Sequence, residues 1–261
     1  MSLTAFALNC TLKNSGDTEK SSTDRLLADL LAAMVPHGVK GEIVRALDHD
    51  IKPGVLSDMG KDDDWPKLRR KIIDADIFIL GLPIWLGQPS SVAKRVLERM
   101  DAFLSETDNR SRMPAGGKVA LVAIVGNEDG AHACHAACFQ ALNDVGFTVP
   151  ANGGIYWVGE AMGDINYVDL PGTPEAVVEM IEMAASNAAH LAKLLKAENY
   201  PGVAAELAPL AANAVRSGNG GAARQTALAG LALHSSSNRP SWSRPIARSS
   251  SSSGKASSLF W

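Results

Sequence analysis

Leu3-Thr4-Ala5-Phe6-Ala7-Leu8-Asn9, followed by Cys10-Thr11-Leu12-Lys13 and then by Ser21-Ser22-Thr23-Asp24, decides the fold. The apolar run has the length of a buried strand, and the second hydroxyl cluster opens a helix whose Leu26, Leu27, Leu30, Leu31 and Met34 recur at helical spacing. A strand that ends in hydroxyl and basic residues and feeds a helix start is how a parallel-sheet protein holds a phosphate. Thr11, Ser21, Ser22 and Thr23 can donate hydroxyl hydrogen bonds, Lys13 adds a positive charge, and the helix start offers free backbone N–H groups. The same residues also read as a capped helix behind a polar loop.

The pattern repeats outward from there. Gly41 to Leu47 reads as a second strand, and Asp62-Asp63-Asp64-Trp65-Pro66 opens a helix carrying Leu68, Ile72 and Ile73, the acids suiting its positive end. Ile77 to Leu80 is a third strand, Gly81 to Ser90 a loop, and Val92, Val96, Leu97, Met100, Phe103 and Leu104 mark the next helix. Lys118 to Val125 is a fourth strand, followed by a helix from Ala131 to about Asp144. Thr148-Val149 and Ile155-Tyr156-Trp157-Val158 form an interrupted fifth, and a last helix from Pro174 to about Ala197 carries Val177, Val178, Ile181, Leu191, Leu194 and Leu195. Alternation of strands and helices predicts a doubly wound α/β parallel sheet with helices on both faces. Ligands of such sheets bind at the carboxyl ends of the strands, where the loops 10–23, 81–90 and 126–130 all fall.

In the second of these loops, Pro83-Ile84-Trp85-Leu86-Gly87 sets a large aromatic among turn-forming residues, where it can cover a planar ligand or pack beneath the loop. The third loop, Gly126-Asn127-Glu128-Asp129-Gly130, combines two glycines with an amide and two acids that can fix polar ring atoms. It also reads as a tight turn before an acidic helix start.

Composition narrows the classes. With 261 residues, 46% of them hydrophobic, the chain can bury a substantial core. Residues 1–200 hold 19 basic and 27 acidic groups, whereas residues 201–261 hold six and one. An acidic body argues against nucleic-acid binding, which depends on neutralising phosphates. No apolar run is long enough to span a bilayer, no export signal opens the chain, and Cys10, Cys134 and Cys138 make no disulfide framework, so a cytoplasmic location away from the membrane is expected. The Ala-, Gly- and Ser-rich tail 201–261 is expected to be largely disordered. His132, Cys134, His135 and Cys138 fall on one helix, too local for a structural metal site. The Gly218-Asn-Gly-Gly-Ala-Ala223 stretch spells a dinucleotide fingerprint but follows no strand.

These loops, in this order and on these strands, resemble the flavodoxin-like flavoproteins, and most closely the NADPH-dependent FMN reductases. That family's Gly-Ser-x-Arg pattern is matched by Cys10-Thr11-Leu12-Lys13, its Ser-Asn helix start by Ser22-Thr23, and its Thr-Pro-x-Tyr loop by Leu82-Pro83-Ile84-Trp85, with Gly87 and Lys94 in register. The resemblance spans residues 3–197. It implies a five-stranded sheet in the order 2-1-3-4-5, with residues 1–200 as the FMN-binding domain. It also implies that Thr11, Leu12, Lys13, Ser21, Ser22 and Thr23 hold the FMN phosphate end. Pro83, Ile84, Trp85, Leu86 and Gly87 would lie along the isoalloxazine, and Gly126, Asn127, Glu128, Asp129 and Gly130 would meet its pyrimidine side. The implied activity is hydride transfer from NAD(P)H through flavin to a flavin, quinone or other small-molecule electron acceptor, in a homo-oligomer. No protein acid or base is required, because the flavin carries the chemistry. A flavodoxin-type electron carrier and a cofactor-less binding module are the alternatives.

Overall fold

The computed structural model describes residues 2–203; the tail expected to be disordered lies, from residue 204 onward, outside the described residues. In chain order the elements are β1 (Leu3–Asn9), α1 (Ser22–Met34), β2 (Val39–Arg45), α2 (Trp65–Asp74), β3 (Ile77–Trp85), β4 (Gln88–Pro89), α3 (Ser91–Met100), β5 (Val119–Gly126), α4 (Ala131–Asp144), β6 (Gly154–Val158) and α5 (Glu175–Ala197). The five long strands run parallel in the order β2-β1-β3-β5-β6, the flavodoxin-like order expected once the short β4 is set aside. The direction of winding reverses between β1 and β3, whose register pairs Ala7 with Ile79. A crevice opens at such a reversal beyond the strands' carboxyl ends.

Alternating residues of the central strands supply two cores. On one face Leu3, Ala5, Ala7, Ile77, Ile79, Leu121 and Ala123 pack under α1 and α5; on the other Phe6, Leu8, Phe78, Leu80, Val122 and Ile124 pack under α2, α3 and α4. Burial on both faces explains why β5 reads as an unbroken apolar run. Several boundaries differ from the sequence reading. The second strand begins at Val39 and ends at Arg45 rather than at Leu47. The third continues through the stretch expected as a loop to Trp85, because Leu82 and Pro83 stay in register with Ile124 and Val125 of β5. The chain then turns back and Trp85 pairs with Gln88. In the interrupted fifth strand only Gly154–Val158 forms a ladder, while Thr148 makes a single bridge to Val119.

The apolar residues read on α5 are only partly its buried stripe. Val178 and Leu194 face solvent, and the helix buries Ala184, Ala185, Ala188, Ala189 and Ala192 with Val177, Ile181 and Leu195. Small residues at these spacings let α5 lie close to the sheet and α1. Ala188→Leu should therefore overpack this contact and cost about 1–3 kcal/mol, read from the midpoint of a urea unfolding curve.

The acids before α2 also serve a different purpose from the one expected. Asp63 does not simply face the helix end: it forms a bidentate pair with Arg99 of α3, at 2.7 and 3.0 Å, and neither side chain is exposed. Arg99 further donates to the carbonyls of Leu56 (3.0 Å) and Lys52 (2.9 Å) and lies over the buried Trp65 ring. One arginine thus clasps the long β2–α2 connection to α3. After α5 the chain stays attached through Val203, whose N–H donates to Arg110, while the Tyr200 hydroxyl meets Thr148 at 2.9 Å.

Candidate functional site

A cavity of about 470 Å³ opens at the carboxyl ends of β1, β3 and β5. Its size is that of an organic-ligand site. Thr11, Leu12, Lys13, Ser21, Ser22 and Thr23 form one wall, Pro83, Ile84 and Trp85 a second, and Gly126, Asn127 and Glu128 a third. The three loops singled out in the sequence therefore meet around one space. Leu86, Gly87, Asp129 and Gly130, grouped with them in the sequence, do not line it. Leu86 points into solvent with 92% of its surface exposed, and Gly130 packs behind Gly87. Glu19, Met162, Gly163 and Asn166 line the cavity without having been singled out.

The first wall is built by the chain leaving β1. Asn9, fully buried at the strand end, accepts from the Thr11 N–H (2.9 Å) and donates to Ser21 Oγ (3.3 Å) and to Asp24 (2.5 Å). This amide ties the strand end to the helix start. Ser21 caps α1 by accepting from the Asp24 N–H, and Ser22 Oγ accepts from the Val168 N–H. Both hydroxyls keep a proton to donate. The Ser22 and Thr23 N–H groups precede the first intrahelical bonds, so they and the Thr11 and Thr23 hydroxyls are left for a ligand. Lys13 is the basic residue of this wall and is held by Glu19 at 2.8 Å. Asp24 is paired with Arg45, whose guanidinium also donates to the Asn14 carbonyl at 2.7 Å. Asn9→Ala should leave its neighbours' polar groups unsatisfied, costing about 1–3 kcal/mol of stability and weakening any anion bound here. Thermal unfolding and phosphate-ligand titration of the variant check both. A buried amide at the carboxyl end of a central strand was the available signal for Asn9.

In the second wall Trp85 is 53% exposed, so the reading in which it packs beneath the loop does not hold. Its placement follows from the turn after it: Leu86 and Gly87 both adopt positive φ, at 52° and 72°, and their N–H groups donate to the Glu128 carboxylate at 3.0 Å each. Two successive amides aimed at one carboxylate form an anion nest. Glu128 is consumed in holding this hairpin rather than free to face a ring. Asn127 holds the other side, accepting from the Met162 N–H and donating to the Gly163 carbonyl, both at 2.9 Å. Met162 also takes positive φ (61°) and is 90% exposed. Backbone strain of this kind concentrates where structure over-determines it. The cavity mouth is thus apolar, and the adjacent pair Asn127-Glu128 fixes both of its sides. The signal missed in the sequence was distance: residues 159–166 follow the fifth strand and no motif marked them.

Among the described residues no three His, Cys, Asp or Glu side chains converge as metal ligands. Burial raises the thiols of Cys10, Cys134 and Cys138, the last to about 12, so none is a thiolate at neutral pH. No helix among the described residues is long and apolar enough to cross a membrane.

Comparison with known proteins agrees with this geometry. Residues 12–163 match the family described as NADPH-dependent FMN reductase. The 8-demethyl-8-aminoriboflavin-5'-phosphate synthase of Streptomyces davaonensis is 31% identical over 210 residues, covering 77% of this chain and 81% of that protein. The crystal structure of RosB with the bound intermediate 8-demethyl-8-formylriboflavin-5'-phosphate superposes with a TM-score of 0.74 at 27% identity, over 95% of both chains. A divalent metal cation transporter MntH of Mycobacterium bovis is 40% identical over 175 residues; the match covers 66% of this chain but only 25% of the transporter's length. The fold, the converging loops and these matches together mean that the chain belongs to the NADPH-dependent FMN reductase family, FMN-binding oxidoreductases on a flavodoxin-like sheet.

Proposed function

We propose that this chain binds FMN in the cavity between the three loops and passes hydride from NAD(P)H to a small acceptor. The observation that carries the reading is the pairing, in one cavity, of a hydroxyl and N–H cradle at the start of α1 with an exposed aromatic at the end of β3. The cradle fits a phosphomonoester: hydroxyl protons of Thr11, Ser21, Ser22 and Thr23, the N–H groups of Ser22 and Thr23, and the Lys13 ammonium are all donors. Trp85, Pro83 and Ile84 offer the apolar wall a tricyclic ring needs, and Asn127 carries the amide on the pyrimidine side. Bound FMN supplies the hydride-accepting ring, and the protein's share is orientation and exclusion of water. Glu128, held by two N–H groups, keeps Trp85 in place rather than pressing a free charge on the ring.

A second reading has its own support. The names of two relatives refer to flavin phosphates that are product or intermediate, so the flavin bound here can be a substrate rather than a resident cofactor. One experiment separates them. The purified protein is loaded with FMN, its visible spectrum recorded, NADPH and a quinone added, and the recovered flavin weighed by mass spectrometry. NADPH consumption with FMN of unchanged mass supports the reductase reading. A flavin of altered mass supports the second, and a protein that retains no flavin overturns both.

A further inference from the structure

We propose that Glu19 is an anionic counterweight in the phosphate subsite: it occupies Lys13 until a phosphate displaces it, and so sets how strongly the cavity prefers a phosphorylated flavin over its dephosphorylated form. This rests on the reading of the cavity as a flavin site. Lys13 is the cation among the residues lining the cavity, and its Nζ lies 2.8 Å from the Glu19 carboxylate and 3.3 Å from the Lys20 carbonyl. Arg45, which anchors the same loop, is spent on Asp24 and on the Asn14 carbonyl. Of the two carboxylates that line the cavity, Glu128 is fixed by the Leu86 and Gly87 N–H groups, whereas among the described residues Glu19 is bound only through Lys13.

The pair is built to exchange. Its side chains are 37% and 75% exposed, and an exposed ion pair contributes little to stability. A doubly charged phosphate at the α1 start competes well for the same ammonium, because the helix end and four hydroxyls favour it as well. The loop before Glu19 does not need this pair to keep its shape. Asn14 and Asp17 close a turn, and Ser15 donates its N–H to Asp48 at 2.8 Å. Contact with Lys13 keeps the Glu19 carboxyl below its ordinary range, so the counterweight is charged throughout neutral pH. When phosphate takes Lys13, Glu19 is left beside a dianion and turns outward into water. Its net effect is to weaken binding of the phosphorylated ligand and leave the uncharged one untouched.

The test is a fluorescence titration of the flavin-free full-length protein with FMN and with riboflavin, for the parent, Glu19→Gln and Glu19→Asp, at low and high NaCl. Glu19→Gln should tighten FMN binding by about two- to five-fold at low salt, leave riboflavin unchanged, and lose the gain at high salt. Glu19→Asp, which keeps the charge, should return FMN affinity toward the parent. Equal changes for both flavins, no change for FMN, or weaker FMN binding in Glu19→Gln would overturn the proposal while leaving the flavin site standing. A parent protein that binds neither flavin overturns the proposal and the site together.

Discussion

Replacing Arg99 with alanine should lower the unfolding free energy by about 3–5 kcal/mol, because it leaves Asp63 charged and buried with its principal partner gone. The pair is bidentate and enclosed, and the arginine also satisfies the Lys52 and Leu56 carbonyls, so alanine orphans three acceptors at once and opens a void beside Trp65. Arg99→Lys keeps the charge but cannot present the planar fork, and should recover part of the loss. Urea unfolding of the three proteins measures this; equal midpoints would mean the clasp contributes nothing. The same pair sets an acid limit. Burial alone would raise the Asp63 carboxyl, but hydrogen bonds from Arg99 and from the Met59, Trp65 and Lys52 N–H groups outweigh it and hold it well below the ordinary 3.8. The unfolded chain therefore binds this proton more readily than the folded one. Stability from the pair is complete above pH 3.8 and is lost as pH falls through the lower folded value. In His135, which stacks on Phe139 with Nε2 unpaired, burial itself lowers the pKa. A depressed histidine withdraws stability earlier, as pH drops below its ordinary 6.5. An unfolding midpoint followed from pH 7 to about pH 2 should fall in two stages, the first below 6.5 and the second below 3.8, and His135→Phe should remove the first.

Gly130→Ala should abolish retention of a flavin, while Gly87→Ala, on the other side of the same contact, weakens it only modestly. A Cβ on Gly130 would stand 2.8 Å from the Gly87 Cα and 3.0 Å from its carbonyl oxygen, both backbone atoms that cannot turn aside. Its φ of 126° is also one that side-chain-bearing residues rarely adopt, a cost of about 1–3 kcal/mol before any collision is counted. The hairpin tip must then move, and Trp85 moves with it. Gly87, at φ 72°, has only the Asp129 carbonyl at 3.9 Å from the position of an added Cβ, so alanine there bears only the left-handed conformation, about 1–2 kcal/mol. Denaturation midpoints and FMN titrations of the two variants side by side measure the difference. Similar losses in both would show that close approach is not what Gly130 provides.

The sheet was legible because its central strands are buried on both faces and carry unbroken apolar runs, as Val119 to Val125 does. The convergence of the loops 10–23, 81–90 and 126–130 followed from that alternation. What escaped was whatever depends on partners distant in the chain. Nothing near Arg99 marks it as buried, since its acceptors lie at residues 52–63. The alanines of the α5 stripe escaped because alanine carries little hydrophobic signal, yet closeness of approach selects it. Glu128 looks like an ordinary polar residue of a loop until its hydrogen-bond partners, 41 and 42 positions away, are known.

The grip of Asn127 and Glu128 on opposite sides of the entrance has a mechanical corollary. A single dipeptide serves as the common hinge pin for both jaws, so the aperture cannot widen on one flank without disturbing the other. Variation that admits bulkier guests is best placed at Met162, which lines the cavity and whose exposed side chain can be exchanged without touching the bracket that carries it.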